Sequence, residues 1–249
     1  MKKMYSCMLL ILTIAVLSCN FSEELYLNED GSGRMSIKFD GSELLQMQGT
    51  SSTDKEGGEK PMDSVISFSK LLEDKKDSIA HLSPQEQARL QKLEPFFMHV
   101  LMNEKTKEMK LDLYTDFTSV SELSDVFGAF QNASAFGMQG ARTNESADAL
   151  NSGDATEISY TLSKNVFKRT AKVLDYELLQ RNIDSLGRME TFLSSSKYTL
   201  TYHFPKKIKS VSVKEAQISE DGKTLVYEVP FMDFMNNPEI LNIEVILEN

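Results

Sequence analysis

The sequence predicts an α+β fold: an antiparallel sheet built from hairpins, with several helices packed on it. Two observations carry that expectation. Stretches of alternating apolar and polar residues come in pairs around short turns bearing Gly, Asp and Asn, as hairpins require. The stretches of helical period fall between these pairs and do not alternate strictly with strands, which disfavours a parallel doubly wound sheet. With 249 residues, 41% hydrophobic and 26% charged, the chain can bury a sizeable core.

Taken in order, Leu25-Tyr26-Leu27 and Met35-Ser36-Ile37-Lys38-Phe39 flank the turn residues Asn28 to Gly33 and predict the first hairpin. A short helix follows over 42–48. Residues 49–61 carry no apolar side chain except the closing proline and are expected as a flexible loop. Val65, Ile66, Phe68, Leu71 and Leu72 predict a helix. Ser83-Pro84-Gln85-Glu86 is a capping box with proline at the first helical position, starting a second helix that ends before Pro95. Residues 96–102 and 109–113 predict another hairpin. Ser119-Val120-Ser121-Glu122 caps a helix with Leu123, Val126, Phe127 and Phe130 on one face.

Residues 132–155 are rich in Ala, Gly, Ser and Asn and are expected as a long loop, or as a linker subdividing the 25–249 domain. Strand alternation resumes at Ile158, Tyr160 and Leu162. A helix fits 175–193, weakened at Gly187. The rest is mostly strand, at 198–204, 208–213, 224–229 and 240–247, with a hairpin turn at Glu220-Asp221-Gly222-Lys223. The strands of 25–39 and 158–162 are expected to share one sheet with the C-terminal strands.

The 37 acidic and 27 basic side chains give a net charge of −10. Nothing global would drive the release of counterions from a phosphate backbone, so no nucleic-acid partner is expected.

Residues 1–18 have the layout of a secretory signal: Met1-Lys2-Lys3, a short apolar run from Met8 to Leu17, and the small Ser18. A permanent membrane helix takes about 20 apolar residues, more than this run supplies. Val16-Leu17-Ser18-Cys19 resembles the bacterial lipobox. That resemblance implies cleavage between Ser18 and Cys19, diacylation of the Cys19 thiol, and a membrane partner held through the acyl chains. Cys7 leaves with the signal, so the exported domain keeps no thiol for a disulfide or a thiolate metal site.

Residues 19–24 are expected as a lipidated cysteine and an acidic tether. Glu23-Glu24 behind the cysteine resembles the surface-export signal of Bacteroidota lipoproteins, which implies the outer membrane and leaves its face open. Asp63-Ser64-Val65, Asp77-Ser78-Ile79 and Asp184-Ser185-Leu186 resemble the O-glycosylation triplets of that phylum. The hairpin close behind Cys19, together with the Phe-Pro turn and Asp-Gly hairpin near the end, is similar to uncharacterised bacterial lipoproteins. It also resembles the mycobacterial LppM-like domain, for which an envelope lipid-binding role is implied.

No coherent catalytic or metal pattern emerges, and no cofactor is expected. Asn28, Asp30, Ser32 and Gly33 imitate an EF-hand start, but the twelfth position is Phe39 and the flanks are strands. Gly222-Lys223-Thr224 imitates a P-loop end without its first glycine. Ser67-Phe68-Ser69-Lys70 and Ser194-Ser195-Ser196-Lys197 satisfy Ser-x-x-Lys without companion motifs. His81, His99 and His203 are isolated in sequence. Lys206-Lys207-Ile208-Lys209 is expected as a solvated corner, and Phe231 to Met235 as a short helix plugging the core.

The resulting expectation is a lipid-anchored, non-catalytic envelope protein that binds a partner protein or an apolar ligand. The alternative is an envelope hydrolase in which His99 or His203 meets a serine or a carboxylate. An apolar cavity between sheet and helix would favour ligand carriage; a solid core with an exposed patch would favour a protein partner.

Overall fold

The structure, a computed structural model, describes residues 20–47, 61–123, 126–130, 155–184 and 186–249. The signal peptide, Ser18, Cys19, and the segments 49–61 and 132–155 apart from Pro61 and Ala155 lie outside the described residues.

The first strand, β1 (Asn20–Leu27), buries Phe21, Glu23, Leu25 and Leu27 on one face and pairs with β2 (Gly33–Asp40). The turn between them is held by Asn28 N donating to Ser32 O at 2.8 Å and by Asp30 Oδ1 accepting from Ser32 N at 3.0 Å. Gly31 sits there at φ +87°, in the left-handed region that favours glycine. The hairpin is therefore as expected, but it starts five residues earlier. Residues 20–24, expected in a tether, are strand residues, because β1 has hydrogen-bonded neighbours on both sides down to Asn20.

After α1 (Ser42–Met47), the edge strand β3 (Met62–Ser67) leads into α2 (Phe68–Asp74), α3 (Lys76–Ile79) and α4 (Pro84–Gln91). The expected helix thus begins only at Phe68. Val65 and Ile66 are strand neighbours on opposite faces, and their spacing to Phe68 imitates a helical period. The capping box of α4 forms as expected, with Ser83 and Glu86 bonding reciprocally. β4 (Phe97–Asn103) and β5 (Glu108–Phe117) make the second hairpin. Among the described residues, a 3-10 turn at Val120–Glu122 and a helical stretch over 126–130 occupy the next predicted helix.

β6 (Thr156–Ser163) and β7 (Val166–Val173) form a hairpin whose second arm was not expected. The helix expected over 175–193 is two, α5 (Tyr176–Asp184) and α6 (Arg188–Leu193), parted at Gly187, whose φ is +51°. Then come β8 (Lys197–His203), β9 (Ile208–Val211), β10 (Gln217–Ile218), β11 (Thr224–Pro230), α7 (Phe231–Asn236), a 3-10 turn at Pro238–Leu241, and β12 (Ile243–Leu247).

These strands form two sheets, not one. The larger has the order β10-β11-β8-β1-β2-β5-β4-β3, and the smaller β6-β7-β12-β9. The larger is mixed: β1 runs parallel to β8, with Glu23 opposite Leu200, while its other pairings are antiparallel. A hairpin cannot impose that parallel pair, because the chain between its two strands builds most of the domain. The inner faces meet across a core containing Leu25, Met35, Ile37, Leu113, Leu200, Leu225 and Val245, all fully buried. Each such aliphatic side chain contributes about 1.5–3 kcal/mol through burial. Phe231, Phe234 and Met235 of α7 plug one end of the core, as expected.

Candidate functional site

Two groupings of polar side chains stand out, one inside the sandwich and one on its exposed face. The inner one centres on Glu23, which interrupts the inward apolar row of β1 and is 1% exposed. Arg169 interrupts the inward row of β7 in the same way and is equally buried. Arg169 Nε donates to Glu23 Oε1 at 3.2 Å, Nη2 to Oε2 at 3.4 Å, and Nη1 to Leu241 O at 3.3 Å. Three phenols complete the shell. Tyr160 donates to Oε1 at 2.8 Å, Tyr198 to Oε2 at 2.9 Å, and Tyr202 to Oε1.

The strand registers explain the convergence. Tyr198 and Tyr202 lie two residues either side of Leu200, which is the β8 partner of Glu23, so both phenols reach the carboxylate diagonally. Tyr160 pairs directly with Arg169 across β6 and β7 and lies under its guanidinium. Burial alone raises the Glu23 pKa, but the Arg169 charge and the hydrogen bonds outweigh it and hold the carboxyl below its ordinary value. Burial, then the Glu23 charge, pushes the Tyr198 and Tyr202 phenols well up. The group is an ionised carboxylate in a closed shell of donors. It is built to hold the two sheets in one register, and it offers no reactive atom to solvent.

The outer grouping lies on the opposite face of the larger sheet. Glu24 receives hydrogen bonds from Lys38 Nζ and, at 2.9 Å, from Tyr26. Burial raises its pKa, and the Lys38 and Tyr26 bonds with the Lys38 charge bring it below the ordinary value. Asp112 is the register partner of both Lys38 and His99; its Oδ1 is buried without a hydrogen-bond partner, and burial raises its pKa. Arg34 bonds Asp116 through two nitrogens and lies 4.9 Å above the Tyr114 ring, which stacks on Phe97.

The three histidines do not converge. His81 is exposed in the turn after α3. His99 bonds Asp63 at 2.7 Å on the outer face near the β3 edge. His203, four strands away, stacks on Tyr26, faces the Thr224 hydroxyl at 3.0 Å through Nδ1, and has Nε2 3.5 Å from Glu24 Oε1. Among the described residues no three His, Cys, Asp or Glu side chains are placed to hold a metal ion.

Surface depressions lie elsewhere among the described residues. A groove of 450 Å³ runs between α2, α3 and α4, and a cleft of 260 Å³ is lined by Ser194, Lys197 and Glu228 among others. Gly222 lies in a tight turn at φ +75°, in which Asp221 Oδ1 accepts from Lys223 N at 3.0 Å.

No protein-family model matches the chain, and no curated protein matches it. Among solved structures, the chain is weakly similar to the folded domain of LppM from Mycobacterium tuberculosis, determined by NMR. The identity is 9%, over 92% of this chain and 89% of that one, with a TM-score of 0.35.

Sequence reasoning did not find the Glu23 cluster. Its signal was present in two places, as one acid and one base each standing at an inward position of an otherwise alternating strand. The sequence hides it because Glu23 falls in an acidic run that reads as a tether, and the lysines of β7 make its alternation read as polar.

Proposed function

We propose that this chain is a lipid-anchored protein of the cell envelope that binds a protein partner, without catalysis, through the outer face of its larger sheet. The anchor rests on Val16-Leu17-Ser18-Cys19 and on the short apolar run before it, with two acyl chains on Cys19 supplying stable membrane attachment. The Bacteroidota-like features around Cys19 support the outer membrane as its location.

The observation that carries partner binding over ligand carriage is the filled interior. The space between the sheets is closed by Arg169, Tyr160, Phe167, Tyr198 and Tyr202, each at most 2% exposed. The outer face meanwhile presents Val65 at 59%, Tyr26 at 47% and Phe97 at 38% exposure among interleaved charges. Apolar anchors ringed by both signs of charge suit a protein surface.

A photo-crosslinking residue at Val65 is expected to yield a protein adduct in cells, lost when Phe97→Ala and Tyr114→Ala are added, while one at Glu220 yields none. Lipid co-purifying in gentle detergent, with no adduct from Val65, would replace the partner by a ligand. The anchor is tested by Cys19→Ala, which should abolish incorporation of radiolabelled fatty acid; unchanged labelling refutes it.

A second reading, an envelope hydrolase, is favoured by one observation, the line Thr224–His203–Glu24. It requires Thr224 to be a nucleophile and His203 its base. Covalent labelling by a fluorophosphonate that disappears in both Thr224→Ala and His203→Ala would support it. Absence of labelling would remove it.

A further inference from the structure

The corner between β7 and α5 carries two of the most exposed large apolar side chains among the described residues, Leu174 at 55% and Tyr176 at 70%. It is not a frayed loop. Leu174 N donates to Ala155 O at 2.8 Å, and Asp175 Oδ1 caps α5 by accepting from Leu178 N at 2.8 Å. Leu179 and Ile183, at helical spacing from Tyr176 along the same stripe, are buried and hold α5 to the body, while Tyr176 in its first turn stays exposed. The corner therefore holds its two apolar side chains outward on a fixed base.

Its place in the molecule follows from the core contacts. Phe167 of β7 packs against Tyr202 and Phe204, at the end of the sandwich away from Asn20, while Arg169 meets Glu23. β7 therefore runs toward the Asn20 end. From Arg169 to Leu174 is about 16 Å of extended chain, and from Glu23 back to Asn20 about 10 Å. Sheets packed face to face keep their strands within about 30° of one another, so this difference is largely preserved. The corner therefore projects about 6 Å past Asn20, beyond the start of β1. α7, which packs beside α5, also starts at that end, since Phe231 N donates to Ser196 O and its ring stacks on Phe21 at 4.4 Å.

β1 begins at Asn20, bonded on one side to Asp40 and on the other to Lys197, so no spacer separates Cys19 from the rigid sheet. We infer that Leu174 and Tyr176 form a second, non-covalent contact with the bilayer, seating the domain on the membrane by its Asn20 end. This rests on the reading of Cys19 as the lipidated residue. Tyrosine suits such a position, because its ring is apolar and its hydroxyl stays at the headgroup level.

The chain contains no tryptophan, so Tyr176→Trp and Ile218→Trp each introduce a single fluorophore at an exposed site. Ile218 lies at the opposite end, opposite Leu225, which itself pairs with Tyr202. The full-length proteins, purified from membranes and reconstituted into phosphatidylcholine vesicles containing brominated phosphatidylcholine, are compared by emission. The Tyr176→Trp signal is expected to shift to the blue and to be quenched at least about two-fold, with the Ile218→Trp signal unaffected. Intact mass of the same samples reports the acyl chains. Acylated protein with equal or absent quenching at both positions overturns the corner contact alone. Protein that carries no acyl chain overturns the anchor, and the corner contact with it.

Discussion

Glu23 and Arg169 are 146 residues apart in sequence and join the two sheets through a bidentate ion pair in which neither side chain is more than 1% exposed. Desolvating two such charges carries a penalty of several kcal/mol per ion, so the pair is a poor source of net stability and a strong constraint on which arrangement forms. A sandwich slipped by one residue along β1 would turn Glu23 to solvent and strand Arg169 in the core.

The first expectation follows from that asymmetry. Glu23→Gln or Arg169→Met alone should each destabilise the domain by about 3–5 kcal/mol, because each leaves a buried partner uncompensated. The double variant should cost far less than the sum, since the amide oxygen of Gln still accepts from the phenols. Urea denaturation of the four proteins measures the coupling; additive losses would show that the two residues act independently.

Acid should find the same weak point. The Glu23 carboxyl is held below its ordinary value of 4.5, so the folded state binds fewer protons than the unfolded one in the acid range. Its contribution is complete above that ordinary value and is lost as pH falls through the lowered folded pKa. The stability gap between the native protein and Glu23→Gln should narrow below about pH 4 on a chemical-denaturation series against pH.

At the alkaline end, Tyr198 and Tyr202 have their phenols pushed well up by burial and by the Glu23 charge. Their phenolate absorbance should appear only together with unfolding, as one cooperative step in ultraviolet titration; phenolate signal from either while the fold is intact would refute this.

On the outer face, Asp112 has one buried oxygen without a partner and a pKa raised by burial. A raised carboxyl favours folding only while it is protonated, and that contribution disappears as pH rises through the folded value. Asp112→Asn should therefore raise the Tm by a few degrees at neutral pH and change nothing near pH 3, by calorimetry.

Gly33 marks a close approach rather than a special dihedral. A methyl group there would overlap the Tyr26 carbonyl oxygen and the Phe117 ring. Gly33→Ala should cost about 3 kcal/mol by denaturant titration, whereas Gly31→Ala, at φ +87° in open space, should cost nearer 1 kcal/mol.

The legible parts of the fold are those written in local chemistry. The Asn28–Ser32 turn, the Ser83 capping box, the Asp221-Gly222 hairpin and the Phe231–Met235 plug each depend on residues within a few positions of one another. What stayed hidden was non-local. The parallel pairing of β1 with β8, and the packing of one sheet on the other through Glu23 and Arg169, join segments more than a hundred residues apart. β7 went unrecognised because Lys168, Arg169 and Lys172 made its alternation look polar. Yet Arg169 is the one of those three that points inward, and its partner is the acid that composition alone assigned to a solvated linker.

The position of β1 also sets how the molecule bears load. A pull on the chain at Asn20 acts along the strand, between β2 on one flank and β8 on the other. Their hydrogen bonds lie across the line of force and share it in shear, so they yield together and not one after another as at a peeled edge. Drag on the body of the protein would therefore meet its stiffest mechanical element first, with the Glu23–Arg169 pair acting as a pin through the strand under tension.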